Sequence, residues 1–127
     1  MTGYPTRAIL ASLGEPDRTV LITHHAFFLV HYAMIIGACY VELYLPGNGS
    51  LKGKRRILKP ILIRLRREFN LATAEAAHHD VWQSADLALV TVANDPGRVH
   101  TVLQRAVRWI EIYHPEVQVV DWQIEII

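Results

Sequence analysis

Residues 34–70 read MIIGACYVELYLPGNGSLKGKRRILKPILIRLRREFN, and the fold is decided in this stretch. Its first part alternates. Ile35, Gly37, Cys39, Val41 and Leu43 make one apolar face, while Ile36, Ala38, Tyr40, Glu42 and Tyr44 make the other, which turns polar and aromatic. Period-two patterning with one buried face predicts a strand. Pro46-Gly47-Asn48-Gly49 ends it. Ser50 suits a helix N-cap, because its hydroxyl can accept from an unpaired first-turn N–H. Leu51, Leu58, Leu62, Leu65 and Phe69 then recur within roughly 60° of one another on a helical wheel. An amphipathic helix from Ser50 to Asn70 follows, with Asn70 as its terminator. Pro60 has no N–H to donate, which predicts a kink or a local break.

Working outward toward the C-terminus, residues 71–77 read as an alanine-rich strand and residues 78–83 as a turn. Residues 86–93 make a better strand, stopped by Asn94-Asp95-Pro96-Gly97. Val99, Val102, Leu103, Ala106, Val107, Ile110 and Tyr113 form the stripe of a second helix, which ends at His114-Pro115. Residues 117–127 make the last strand. Val120, Trp122, Ile124 and Ile126 are expected to face one way, and Asp121, Gln123 and Glu125 the other. The order βαββαβ is that of a ferredoxin-like α/β (α+β sandwich) fold. It implies a four-stranded antiparallel sheet with two helices on one face. The other face is left open or used for association.

Toward the N-terminus the character changes. Residues 1–33 hold the loop formers Gly3, Pro5, Gly14 and Pro16, then an apolar run interrupted by His24, His25 and His31. A membrane-spanning helix needs ~20 mostly apolar residues, and three histidines with a Glu42 exit make a poor one. Ile36-Gly37-Ala38-Cys39 matches the short pattern before a lipid-modified cysteine, but cleavage there would discard half of the first strand. Met34 is the better start, which leaves residues 1–33 as an N-terminal extension, untranslated or disordered, outside the single domain at 34–127. A chain of 127 residues fits one domain. Cys39 is the single cysteine, which rules out an intramolecular disulfide and suits a reduced, cytoplasmic setting without a membrane.

Several features together resemble one family. These are Ser50-Leu51-Lys52, Lys54-Arg55-Arg56, Leu62 through Arg67, Phe69-Asn70, Ala74-Glu75, and Trp82-Gln83 with Ala85. They resemble the YlxP-like family of short bacterial proteins of undefined function, over residues 34–127. The resemblance implies a ferredoxin-like fold. Genes of the family often lie beside those of translation initiation and ribosome maturation factors, which implies a ribosome-linked role by association. Pro60 departs from the small or helix-forming residue usual there, and residues 1–33 have no counterpart. The family supplies no catalytic residues to carry over.

Charge is the sharpest functional signal. Lys52, Lys54, Arg55, Arg56, Lys59, Arg64, Arg66 and Arg67 are eight of the thirteen basic residues. Glu68 is the one acid between Ser50 and Asn70, so that segment carries +7. The rest of the domain sets Arg98, Arg105 and Arg108 against nine acids, a net of −6. Lys52, Arg55, Arg56, Lys59, Arg66 and Arg67 fall within an arc of about 120°, with Ile63 among them. The functional reading is a face that binds a polyanion, RNA or a ribosomal subunit, by displacing its counterions. The plainer reading is a solvated face, although solubility alone would be served equally by mixed signs.

Other chemistry is thinly represented. Gly47, Gly49 and Ser50 could present first-turn N–H groups to a single phosphate. A nucleotide phosphate loop is excluded, because Asn48 stands where its first glycine belongs and Arg55 replaces the magnesium-binding hydroxyl. Tyr40 and Tyr44 could stack bases on the open sheet face, yet Glu42, Asp121 and Glu125 share it and repel a phosphate backbone. His78-His79-Asp80 read as turn residues rather than metal ligands, since adjacent histidines diverge. Trp82 is a core or interface anchor, Glu75 can pair with a basic residue nearby, and Cys39 is a buried thiol. The chain is expected to be a non-enzymatic RNA- or ribosome-associated accessory protein with no cofactor or metal. The alternative is a homodimeric regulatory module that associates through its sheet face or edge, using Tyr40, Tyr44, Trp82 and the Ile126-Ile127 end.

Overall fold

The structure, a computed structural model, describes residues 34–127; the expectations for residues 1–33 lie outside the described residues. Six elements follow in the order β1 (Ile35–Tyr44), α1 (Leu51–Phe69), β2 (Ala72–Ala77), β3 (Ser84–Ala93), α2 (Pro96–Tyr113) and β4 (Gln118–Ile126). The strands form one sheet in the spatial order β2-β3-β1-β4, and every neighbouring pair is antiparallel. This is the ferredoxin-like α+β arrangement read from the sequence.

Register explains where the core sits. Residues opposed across an antiparallel ladder share a face. Cys39 opposes Leu89 on β3 and Ile124 on β4, Val41 opposes Leu87 and Trp122, and Leu43 opposes Ala85 and Val119. The apolar face so formed merges with Leu58, Ile61 and Leu65 of α1 and with Val99, Leu103, Ala106 and Ile110 of α2 in one buried cluster. Burial of Cys39 raises its thiol pKa to about 11, which keeps it protonated and inert.

Three expectations change. The β1–β4 register shifts between Glu42, which pairs with Asp121, and Leu43, which pairs with Val119. Val120 is therefore the extra residue of a bulge. Val119 packs inward instead, and Val120 is exposed. Pro60 does not break α1, which runs unbroken from Leu51 to Phe69. Pro60 and Arg56 both lie on the exposed side, so the carbonyl that loses its helical donor can be solvated there. Finally, the buried line of α1 is Lys54, Leu58, Ile61 and Leu65, with Leu62 and Phe69 only partly covered. The inward stripe is thus rotated from the one expected, and it contains a lysine.

The termini of both helices follow local chemistry. Ser50 Oγ accepts from Gly53 N–H at 2.9 Å, and Asn70 closes α1 in the left-handed conformation at φ 54°. Asp95 caps α2 by accepting from Arg98 N–H at 2.9 Å, with Pro96 at the first helical position.

One glycine is demanded by close approach. A Cβ on Gly37 would lie 2.1 Å from Val99 Cγ1, where α2 crosses β1. Gly37→Ala should therefore lower the unfolding free energy by about 1–3 kcal/mol, the cost of overpacking a filled core. Urea unfolding with an unchanged m-value checks this, and an unaltered or higher midpoint would contradict the packing described.

Candidate functional site

Because the inward line of α1 is fixed by Leu58, Ile61 and Leu65, the 3.6-residue period turns the remaining positions out. Lys52, Arg55, Arg56, Lys59, Arg64, Arg66 and Arg67 are all exposed. Arg64 is partly neutralised: its Nε lies 2.8 Å from Glu68 one turn on, and its guanidinium carbon is 5.9 Å from the centre of the Trp109 ring. Arg66 donates to the Thr73 carbonyl at 3.3 Å, which steers the side chain along β2 without cancelling its charge. Among the described residues, no ion pair engages Lys52, Arg55, Arg56, Lys59, Arg66 or Arg67.

Lys54 does not belong to this surface, which corrects its assignment as an anion-binding residue. Its side chain is 2% exposed, and Nζ lies 2.7 Å from Glu75 Oε2. The same ammonium donates to the carbonyls of His78 at 2.6 Å and Val81 at 2.9 Å. A buried cation needs such saturation, because burial without partners is costly. The expected pairing of Glu75 with a basic residue is thus with Lys54, and it ties α1 to β2 and to the β2–β3 loop.

That loop is pinned at several points. Val81 N–H bonds the His78 carbonyl at 3.0 Å, Leu45 N–H bonds the Gln83 carbonyl at 2.9 Å, and Asn48 Nδ2 bonds the Trp82 carbonyl at 2.5 Å. Asn48 also donates to the Ser50 carbonyl at 2.9 Å, so Trp82 is bridged to the start of α1. Trp82 is 51% exposed, which rules out the core alternative. At the helix entrance the Ser50 hydroxyl already occupies the Gly53 N–H, one of the donors that a bound anion would use.

Beside the basic face lies a shallow groove of about 310 Å³. Leu58, Leu62 and Ile63 give it an apolar floor, and Arg55, Lys59, Arg66 and Glu75, the partner of Lys54, stand around it. Ile63, an apolar residue in a charged run, is explained by this groove.

The opposite face of the molecule is acidic, as expected. Glu42 is the register partner of both Asp86 on β3 and Asp121 on β4, so three carboxylates cross the sheet in one row. Tyr40 and Tyr44 flank the row and are exposed. One cluster here is assembled by the fold from residues distant in sequence. Asp86 is 1% exposed, accepts from the Tyr40 hydroxyl, and lies 3.1 Å from His78 Nε2. The bond to Asp86, reinforced by burial and by the charges of Asp86, Glu42 and Asp121, pushes the Tyr40 pKa up to about 12. An imidazole oriented by a carboxylate can take up a proton at its other nitrogen. Among the described residues, however, no hydroxyl or thiol hydrogen-bonds that ring, and no group of three metal-ligating side chains forms. The cluster reads as a clasp that holds His78, itself at φ 60°, at the root of the Trp82 loop.

Two outcomes follow from these contacts. Lys54→Ala should cost about 3 kcal/mol, the low end of the range for halving a buried ion pair, because Glu75 is partly solvated. Lys54→Met with Glu75→Leu should recover most of that loss, and chemical denaturation of the single and double variants measures both. For Tyr40 the folded pKa lies above the ordinary value of 10, so the neutral phenol is favoured in the folded chain. Its contribution to stability is therefore complete below pH 10 and is lost as pH rises through about 12. Ultraviolet titration of tyrosinate should find one late-ionising tyrosine, absent in Tyr40→Phe.

The model of the family described as "Protein of unknown function (DUF503)" matches residues 36–124. A Bacillus subtilis (strain 168) relative, "Uncharacterized protein YlxP", is 32% identical over 84 residues, covering 66% of this chain and 90% of the relative. Among solved structures, the de novo designed protein Foldit4 superposes with a TM-score of 0.40 at 14% identity, over 72% of this chain and 96% of that one. On the extent of the family match and the identity to YlxP, this chain belongs to the YlxP-like DUF503 family.

Proposed function

We propose that this protein binds the phosphate backbone of RNA, in the cytoplasm and in the setting of the ribosome, through the outer face of α1. One observation carries the reading. Six cationic side chains on a single helix have no carboxylate partner among the described residues, while Glu42, Asp86 and Asp121 stand in a row on the opposite sheet face. A surface of that kind attracts a polyanion by releasing its counterions. The carboxylate row repels one from the sheet. RNA therefore approaches from the helical side, unlike the sheet-based mode of RNA-recognition motifs.

A second reading is association of two copies through the open sheet face. Exposed Tyr40, Tyr44, Val90 and Val92 favour it, since large apolar side chains collected on one face mark interaction surfaces. Both readings can hold, because they use opposite sides of the molecule.

Co-sedimentation with ribosomal subunits, and titration of a labelled RNA oligonucleotide, should show affinity falling steeply with salt. Reversing four charges in Lys52, Arg55, Arg56, Lys59→Glu should abolish subunit binding and flatten the logarithmic salt slope by roughly 3, at about 0.7 per phosphate contact on a single strand. Absence of binding by the wild-type chain even at low salt contradicts the proposal.

A further inference from the structure

We propose that Trp82 is a nucleobase-stacking platform, and that the ligand of the basic face is single-stranded rather than duplex RNA. This rests on the reading above and narrows it to a class of RNA. The first observation is exposure: a large indole, apolar apart from its one N–H, stands 51% open to solvent. The second is rigidity. Its loop is held by Lys54 through the carbonyls of His78 and Val81, by Leu45 through Gln83, and by Asn48 through Trp82 itself. An aromatic side chain on a backbone fixed in this way loses little further freedom on binding.

The third observation is position. Asn48 bonds both the Trp82 carbonyl and the Ser50 carbonyl, so the loop abuts the N-terminal end of the basic helix, where Lys52 and Arg55 begin the charged face. Proteins that hold single strands combine a positive track for the backbone with aromatic rings for the bases. In a duplex the bases are already stacked on one another and offer no free face at this position. An unpaired base can lie on the indole while its flanking phosphates run along α1. The apolar groove floored by Leu58, Leu62 and Ile63 lies further along the same track.

The test compares a uridine-rich single-stranded RNA with an RNA duplex of equal length at fixed salt, using wild type, Trp82→Ala and Trp82→Phe. Trp82→Ala should weaken single-strand binding by about 5- to 150-fold, the loss typical of one stacked base, and leave the salt slope unchanged. Trp82→Phe should restore part of the affinity, and duplex binding should be weaker than single-strand binding and indifferent to both variants. Circular dichroism and thermal unfolding identical to wild type are expected, because the side chain is exposed. If Trp82→Ala binds the single strand within twofold of wild type, or if the duplex binds equally tightly, the stacking proposal is overturned while RNA binding by the helix stands. If wild type binds neither RNA, both fall together.

Discussion

A buried ammonium group organises the half of this domain that carries the basic face. Lys54 extends from the inner face of α1, meets Glu75 of β2, and closes its remaining hydrogen bonds on two carbonyls of the β2–β3 loop. Three segments that are separate in sequence are joined through one nitrogen. The helix cannot rotate about its axis without stranding that charge in a poorly solvated site, where the penalty is several kcal/mol. The outward set of cations is therefore fixed by the inward one. The same contact holds the loop that carries Trp82 against the start of the helix. Placement of the basic face and of the exposed indole thus depends on a lysine that is itself buried.

Around this fastening the molecule is electrically divided. Cations lie on the helical side, and Asp86, Glu42 and Asp121 lie side by side on the sheet side. Carboxylates at adjacent register positions repel, so the row is tolerated only with relief from neighbours. The Tyr40 hydroxyl and the His78 imidazole supply it at the buried member, Asp86. The edge strand β2 is managed in a similar economical way. Its Thr73 and Glu75 carbonyls are engaged by Arg66 and by His79, at 3.3 and 3.0 Å. Side-chain cover of this kind discourages pairing with a stray strand.

The architecture was legible because burial on the core side imposes periodicity. The alternation in 35–44 and the stripe in 99–113 require nothing beyond the residues themselves. The features that periodicity does not reveal depend on partners distant in sequence. The bulge at Val120 exists only relative to β1, and a single extra residue inverts the face of every side chain before it. Lys54 was hidden inside a run of identical charges. Its signal was present all the same: it falls on the line of Leu58, Ile61 and Leu65, and Glu75 is the lone acid of an alanine-rich strand. Asp86 likewise sits in an otherwise apolar strand, which calls for a partner that only the fold identifies as Tyr40 and His78. The basic residues of α1 do lie on an exposed helix face, except Lys54, which is turned inward.

The central claim is that nucleic acid meets the outer side of α1 and not the sheet. Backbone amide chemical shifts, followed by nuclear magnetic resonance as a short RNA is titrated in, test this most directly. Perturbations are predicted to concentrate at Lys52, Arg55, Arg56, Lys59, Arg66 and Arg67 and to leave Glu42, Asp121 and Glu125 still. Shifts confined to the sheet residues, or none at all at low salt, would contradict the account.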